Sequence, residues 1–384
     1  MTREEAEKII KERFKPVEDK PGYVWFSHFQ MISIETLAKS LEKWCPKSLY
    51  NTPLAESEGK ALEQEPKIGH WVERCTIFGG SFNSTRPLRL LIGGFPCTKF
   101  SIAQKAEDRE TQPYSGEGWE LFYNYLLAKE KFKPDFFLAE NNQSIAPAIK
   151  NEVSKLLGVD YIPIDSALVS AQTRKRVYWT NIPGVEQPED RGILLKDILD
   201  SGTVDRDKSL CIARRYAGFS GSQSYLRRRY FGKSMGQAAF EGCTPEYQKE
   251  LWKADDRKEY EDQVGYIRQL TPEETERLQT LPVGYTSGIP DRWRYECIGN
   301  GWTAEVIIHI LSYLDIPKDY PIEVLSMYDG IATGRYCLEK LGYTNITYKA
   351  YEIDSYAKQV AMKNYPDIIQ CGDAFDLRND NWTY

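Results

Sequence analysis

The chain has 384 residues, 41% hydrophobic and 13% aromatic, with 50 basic and 56 acidic side chains and a formal net charge of −6. That is enough for one large or two ordinary soluble domains with a sizeable core. No stretch approaches the roughly 18 uninterrupted apolar residues of a membrane span, and the charged N-terminus, Met1 to Lys15, has no apolar signal core, so a cytoplasmic protein without a membrane partner is expected.

Residues 1–86 open on an amphipathic helical pattern and then turn irregular around Pro46, Pro53 and Pro66. From residue 87 strands and helices alternate. Leu88 to Gly94 reads as a buried strand ending in glycines, 117–131 as a helix, Asp135 to Ala139 as a strand and 145–157 as a helix. Tyr161 to Leu168 and Arg176 to Thr180 read as further strands. A turn-rich stretch from about 183 to 267 lacks long periodic segments. Thr271-Pro-Glu-Glu274 is a capping box with Pro in the first turn, and 302–314 is an amphipathic helix. The last quarter is a βαβαβ run: strands Ile322–Tyr328, Ile346–Glu352 and Ile368–Cys371, helices 333–341 and 355–364. Such alternation predicts an α/β fold with a doubly wound, mostly parallel sheet.

The eight cysteines are scattered without a CxxC pair and the chain has three histidines. Zinc sites and disulfide frameworks cluster their ligands, so no metal is expected and most cysteines read as reduced core residues. Charge is uneven: Arg206 to Lys233 holds eight Lys or Arg and one acid, Asp207, a candidate polyanion surface.

Four constellations carry chemistry. Pro96-Cys97 follows the first buried strand, where a parallel sheet opens its ligand crevice; alone, it could equally be an inert loop cysteine. Glu140-Asn141 ends the next strand, and a carboxylate after a buried run is costly unless paired or used; a helix N-cap at Asn141 or Ser144 is the alternative. Gln172-Thr-Arg174-Lys-Arg176 is a cluster of donors suited to oxygen acceptors, or a solvated basic edge. Tyr328-Asp329-Gly330-Ile331-Ala332-Thr333-Gly334 follows a strand, with Glu352 at the end of the next and Gly372-Asp373 at the end of a third. Glycines admit close ligand approach, and an acid about 20 residues on is placed for ribose hydroxyls. The spacing is not GxGxxG, so a nucleoside ligand without phosphates, such as S-adenosylmethionine, fits better than a dinucleotide.

Together these motifs resemble the cytosine-C5 DNA methyltransferases over roughly residues 88–373. Pro96-Cys97 is similar to the family's catalytic dipeptide, Glu140-Asn141 to its Glu-Asn-Val, and Gln172 to Arg176 to its Gln-x-Arg-x-Arg. Leu270 to Gln279 resembles the helix closing its recognition region, Gly299-Asn300-Gly-Trp302-Thr303 its Gly-Asn helix start near the cofactor, and Asp329–Gly334 the cofactor loop of de novo-type enzymes. The order departs from the family, because the cofactor half follows the catalytic half. A cut between the third and fourth strands, with the old termini joined, would produce this circular permutation. Asn142 stands where valine is usual, and Phe95 where proline is common.

The resemblance implies an S-adenosylmethionine-dependent methyltransferase fold with a smaller, irregular target-recognition domain. Its parts are an N-terminal segment of unknown role at 1–86, a catalytic half at 87–184, target recognition at 185–267, closing helices at 268–320 and a cofactor-binding half at 321–384. It implies catalysis by Cys97, Glu140, Arg174 and Arg176. It implies cofactor binding by Pro96, Leu121, Asn300, Trp302, Tyr328, Asp329, Gly330, Ile331, Thr333, Gly334, Glu352, Ile353, Asp373 and Ala374. Contacts to double-stranded DNA fall to Ser101, Gln172, Arg214, Arg215, Arg227, Arg228 and Arg229, around a flipped-out cytosine. The competing readings are an RNA cytosine-C5 methyltransferase and a catalytically silent DNA-binding regulatory homologue.

Overall fold

The computed structural model describes residues 86–96, 99–100, 110–214, 216, 221–232, 236–242, 265–379 and 382, with the backbone of two short strands nearer the N-terminus. Cys97, Ser101 and Arg215 lie outside the described residues. The chain divides into two compact units, Met1–Arg86 and Pro87–Tyr384. In the first, β1 (Tyr23–Ser27) pairs antiparallel with β2 (Gln30–Ser33).

In chain order, the second unit holds β3 (Leu88–Gly94), α1 (Gly116–Phe132), β4 (Phe136–Asn142), α2 (Pro147–Leu157), β5 (Tyr161–Asp165) and β6 (Lys175–Thr180). Next come α3 (Gln223–Phe231), β7 (Ala238–Glu241), β8 (Tyr266–Gln269), α4 (Pro272–Leu278), α5 (Asp291–Asn300) and α6 (Ala304–Ser312). It ends with β9 (Ile322–Met327), α7 (Thr333–Lys340), β10 (Ile346–Tyr351), α8 (Ser355–Asn364) and β11 (Ile369–Gly372).

Seven strands form one sheet in the order β11-β10-β9-β3-β4-β6-β5. All its pairings are parallel except the two made by β6. A parallel sheet must be covered on both faces, and β3 shows why its sequence is apolar throughout. Leu91 joins a core with Phe122, Tyr125 and Phe132 of α1 and Ile149, Val153 and Leu157 of α2. The neighbouring Ile92 meets the other layer at Gly334 of α7, where a Cβ would lie 2.3 Å from Ile92 Cδ1. Only glycine lets that helix pack so close. The result is a doubly wound, mostly parallel α/β architecture.

Three local expectations change. The strand from Tyr161 stops at Asp165, whose carboxylate accepts the amides of Ala167 (3.0 Å) and Arg174 (2.9 Å) and turns the chain into a 3-10 segment at Ser166–Leu168. Gly299-Asn300 ends α5 rather than starting a helix; Gly301 donates back to Cys297 O (2.9 Å), and α6 begins at Ala304. The turn-rich stretch contains α3 and the β7–β8 pair, with Leu226 and Tyr230 packed on Ala238, Phe240 and Ile267. The capping box forms as expected: Thr271 Oγ1 accepts from Glu274 N at 3.1 Å and Thr271 N donates to Glu274 Oε2 at 2.8 Å.

Candidate active site

Strand pairing sets the level of every group at the site. Gly94, the last residue of β3, is in register with Glu140 on β4, and Gly93 with Met327 on β9. Phe95-Pro96 and the turn at Tyr328 therefore leave the same edge of the sheet, which is where ligands bind in parallel α/β folds.

Glu140 is buried, with a different donor on each oxygen. Arg176 Nε lies 3.0 Å from Oε1, and Trp302 Nε1 donates to Oε2 at 3.1 Å. Pairing of this kind is what makes a buried carboxylate tolerable. Asn141 is not a helix cap, since Ala146 precedes α2; its amide donates to Phe95 O at 3.0 Å and anchors the chain as it leaves β3. Asn142 accepts from the amide and hydroxyl of Ser144 and shapes the following turn.

Arg174 and Gln172 are corrected by their surroundings. The Arg174 guanidinium is 4% exposed and donates to Ile212 O (3.0 Å), Cys211 Sγ (3.2 Å), Gly299 O (3.1 Å) and Gly301 O (2.9 Å). With both terminal nitrogens committed to the fold, it clamps residues 211–212 to the 299–301 loop. Gln172 is fully buried, donating to Leu278 O and Gln279 Oε1 and accepting from Ile212 N at 2.7 Å. It cannot reach a nucleic acid from there.

No motif singled out Cys211. It is a surface residue rather than a core one, with its sulfur against Arg174. Burial of the thiol raises its pKa, but the Arg174 and Arg176 guanidiniums outweigh that and hold it below the ordinary value. Cys297 behaves as a core cysteine, pushed up to about 12 chiefly by burial.

The turn after β9 is strongly bent: Tyr328, Gly330 and Ala332 all have left-handed backbones, at φ 57°, 63° and 62°. Asp329 accepts from Ser326 Oγ and Tyr348 OH, both at 2.6 Å and both on Oδ1, while its buried Oδ2 has no partner. Burial is the main cause that pushes this carboxyl up to about 6. Glu352, just past β10, accepts the amides of Gly330, Ile353 and Asp354, each at 2.8 Å. Tyr328 OH donates to Leu121 O (2.8 Å), and Tyr285 OH to Ile331 O (2.9 Å). Thr333 and Gly334 are buried at the start of α7. Ile353 (69%) and Phe375 (40%) expose apolar surface, and Asp373 caps the segment containing Phe375 and buried Ala374. Phe375 was not among the expected residues; an aromatic two positions after an acid carries no signal until the turn folds.

The basic residues divide. Arg214 is 59% exposed and paired with Glu296. On α3, Arg227 donates to Gly265 O at 2.5 Å, and Arg228 and Arg229 stack over Tyr225 at 5.7 and 5.8 Å from the ring centre. Asn300 is exposed at the end of α5. Among the described residues there is no group of three or more potential metal ligands and no helix long and apolar enough to cross a membrane.

In solved structures, a mutant of Spodoptera frugiperda DNMT2 is similar at 16% identity, covering 59% of this chain and 78% of its own, with a TM-score of 0.38. The S. pombe Dnmt2 methyltransferase has the same identity and coverages with a TM-score of 0.37. The profile of C-5 cytosine-specific DNA methylases matches residues 80–159 and 203–315, which is half of the chain. This chain belongs to the C-5 cytosine-specific DNA methylase family.

Proposed function

We propose that the chain is an S-adenosylmethionine-dependent DNA (cytosine-5-)-methyltransferase acting on a cytosine flipped out of duplex DNA. The observation that carries this reading is the Glu140 carboxylate, held by Arg176 and Trp302 beside Gly94, two residues before Pro96-Cys97 and at the same sheet edge as the Asp329–Glu352 turn.

The turn suits the cofactor on two counts. The orphaned Asp329 Oδ2 lacks a cationic or N–H partner, and the space where a Gly330 Cβ would sit is empty within 4 Å. Asp329 and Gly330 would hold the amino-acid end, Glu352 the ribose hydroxyls, and Ile353, Ala374 and Phe375 the adenine. When bound, the cofactor supplies an electrophilic methyl group. C5 of cytosine is a weak nucleophile, so the Cys97 thiolate first adds to C6. Glu140, having taken up a proton from solvent, delivers it to N3, and the electron pair displaced by the thiolate makes C5 nucleophilic. After methylation a base removes the C5 proton, and the C6–sulfur bond breaks to restore the ring. Arg176 orients Glu140, and Arg174 acts through the backbone it clamps, as a positioning residue.

Residues 185–267 would form the target-recognition region, a reading supported by the exposed basic groups of Arg214 and Arg228. Circular permutation is supported by the strand order: β9, β10 and β11 come last in the chain yet extend the sheet from β3.

The test is methyl transfer from tritiated S-adenosylmethionine to duplex DNA and, in parallel, to transfer RNA. The expected product is 5-methylcytosine in DNA, abolished by Cys97→Ser without loss of cofactor binding. Label in transfer RNA alone would move the substrate to RNA, and no label in either would leave the regulatory-homologue reading.

A further inference from the structure

Trp302 sits in a loop fixed from three sides. Arg174 donates to Gly301 O (2.9 Å), Gln279 Nε2 donates to Ile298 O (2.9 Å), and Thr303 Oγ1 donates to Gln279 Oε1 while accepting from Ser166 Oγ, both at 2.8 Å. A part-buried indole N–H such as that of Trp302 seeks an acceptor, and a backbone carbonyl would serve it as well. Here the acceptor is the one carboxylate that the proposed chemistry uses. The chain also leaves room for the contact: a Cβ on Gly94 would stand 2.6 Å from Glu140 Oε2 and 3.0 Å from Trp302 Nε1.

We propose that Trp302 is a positioning residue for Glu140, its indole N–H fixing the carboxyl plane and stabilising the carboxylate left when the proton passes to cytosine N3. This rests on the methyltransferase reading and deepens it, since the same tryptophan was expected only as a wall of the cofactor site. The physical reason is the division of donors. Arg176 Nε and Trp302 Nε1 each take one oxygen, so the carboxyl group cannot rotate without breaking one of them. A neutral donor adds orientation without the second positive charge that another arginine would bring. The donor helps most where negative charge appears on Glu140, which is during addition of the thiolate to C6, so its loss falls on kcat more than on KM.

The experiment reads that step without methyl transfer: release of tritium from C5 of [5-³H]cytosine in duplex DNA and in RNA, in the absence of cofactor. The full chain is compared with Trp302→Phe and with a chain carrying 3-benzothienylalanine at 302, a bicyclic isostere lacking the N–H. Both replacements are expected to slow exchange roughly tenfold or more, the loss of one hydrogen bond to a charged group. The KM for S-adenosylmethionine in full turnover should stay within about twofold. Wild-type exchange rates in both variants overturn the proposal. So does a raised KM for the cofactor with unchanged exchange, which would make Trp302 a cofactor wall. A wild-type chain that exchanges on neither nucleic acid overturns the methyltransferase reading itself, and this proposal with it.

Discussion

Glu352 Oε2 accepts the amide of Gly330 at 2.8 Å, tying the end of β10 to the turn that follows β9. One carboxylate thus holds the turn and, through Oε1, the first residues of the loop leading to α8. Glu352→Ala should weaken S-adenosylmethionine binding by tenfold or more, because a ribose acceptor is lost and three amides lose their partner. Titration calorimetry measures this directly. An affinity equal to wild type would remove Glu352 from the cofactor site.

Asp329 gives the protein a pH dependence of unusual sign. An acid whose folded pKa is raised, here to about 6 from 3.8, binds more protons folded than unfolded between those values. Stability therefore falls as pH rises through that window and is level above it. Asp329→Asn should lessen that fall, which denaturant titrations at pH 4.5 and 7 would detect as a smaller wild-type-like decline. A cationic group beside Oδ2 would favour the ionised form, so cofactor affinity should rise from pH 5 to pH 7 in the wild type and stay flatter in the variant.

How far the sequence carries is clearest at α5 and β9. The β9 segment was legible because it carries apolar residues on both faces, Ile322 and Val324 on one and Leu325 and Met327 on the other, as a central parallel strand does. Helix α5 was not, because Asp-Arg-Trp-Arg-Tyr-Glu-Cys-Ile-Gly-Asn shows no apolar stripe. Its polar residues are buried by pairing, with Arg294 against Glu273 and Glu276 and Glu296 against Arg214. Such partners are distant in sequence and invisible to periodicity. The same limit separated Arg176 from Arg174. Two arginines in one motif look alike, and only the fold directs one to Glu140 and the other to backbone carbonyls.

Arg174 should consequently matter to stability as much as to turnover. Arg174→Ala removes the guanidinium that serves the carbonyls of Ile212, Gly299 and Gly301, and leaves Gly301 O only a longer bond from Gln279 Nε2 (3.3 Å), a loss of about 3 kcal/mol or more. Lysine cannot span both pairs of acceptors, so Arg174→Lys should recover little. Chemical denaturation gives the stability, and amide exchange should quicken around residues 211–213 and 299–302. Full stability with turnover lost would instead argue for direct contact with the base.

Gly94→Ala separates the fold from the site. The added methyl group meets the ends of two side chains, Glu140 Oε2 at 2.6 Å and Trp302 Nε1 at 3.0 Å, rather than backbone. Those ends can swing aside, so the sheet should survive and the melting temperature should change by only a few degrees. The carboxyl group, however, must leave the plane set by its two donors. A displacement of about 1 Å in a reacting group is worth on the order of a hundredfold in rate, and kcat should fall by about that much with cofactor affinity unchanged. Contrast with Gly93→Ala makes the result specific. There a Cβ would strike Met327 O at 2.7 Å, on the backbone of β9, so the expected damage is to folding and should appear first as a lowered melting temperature.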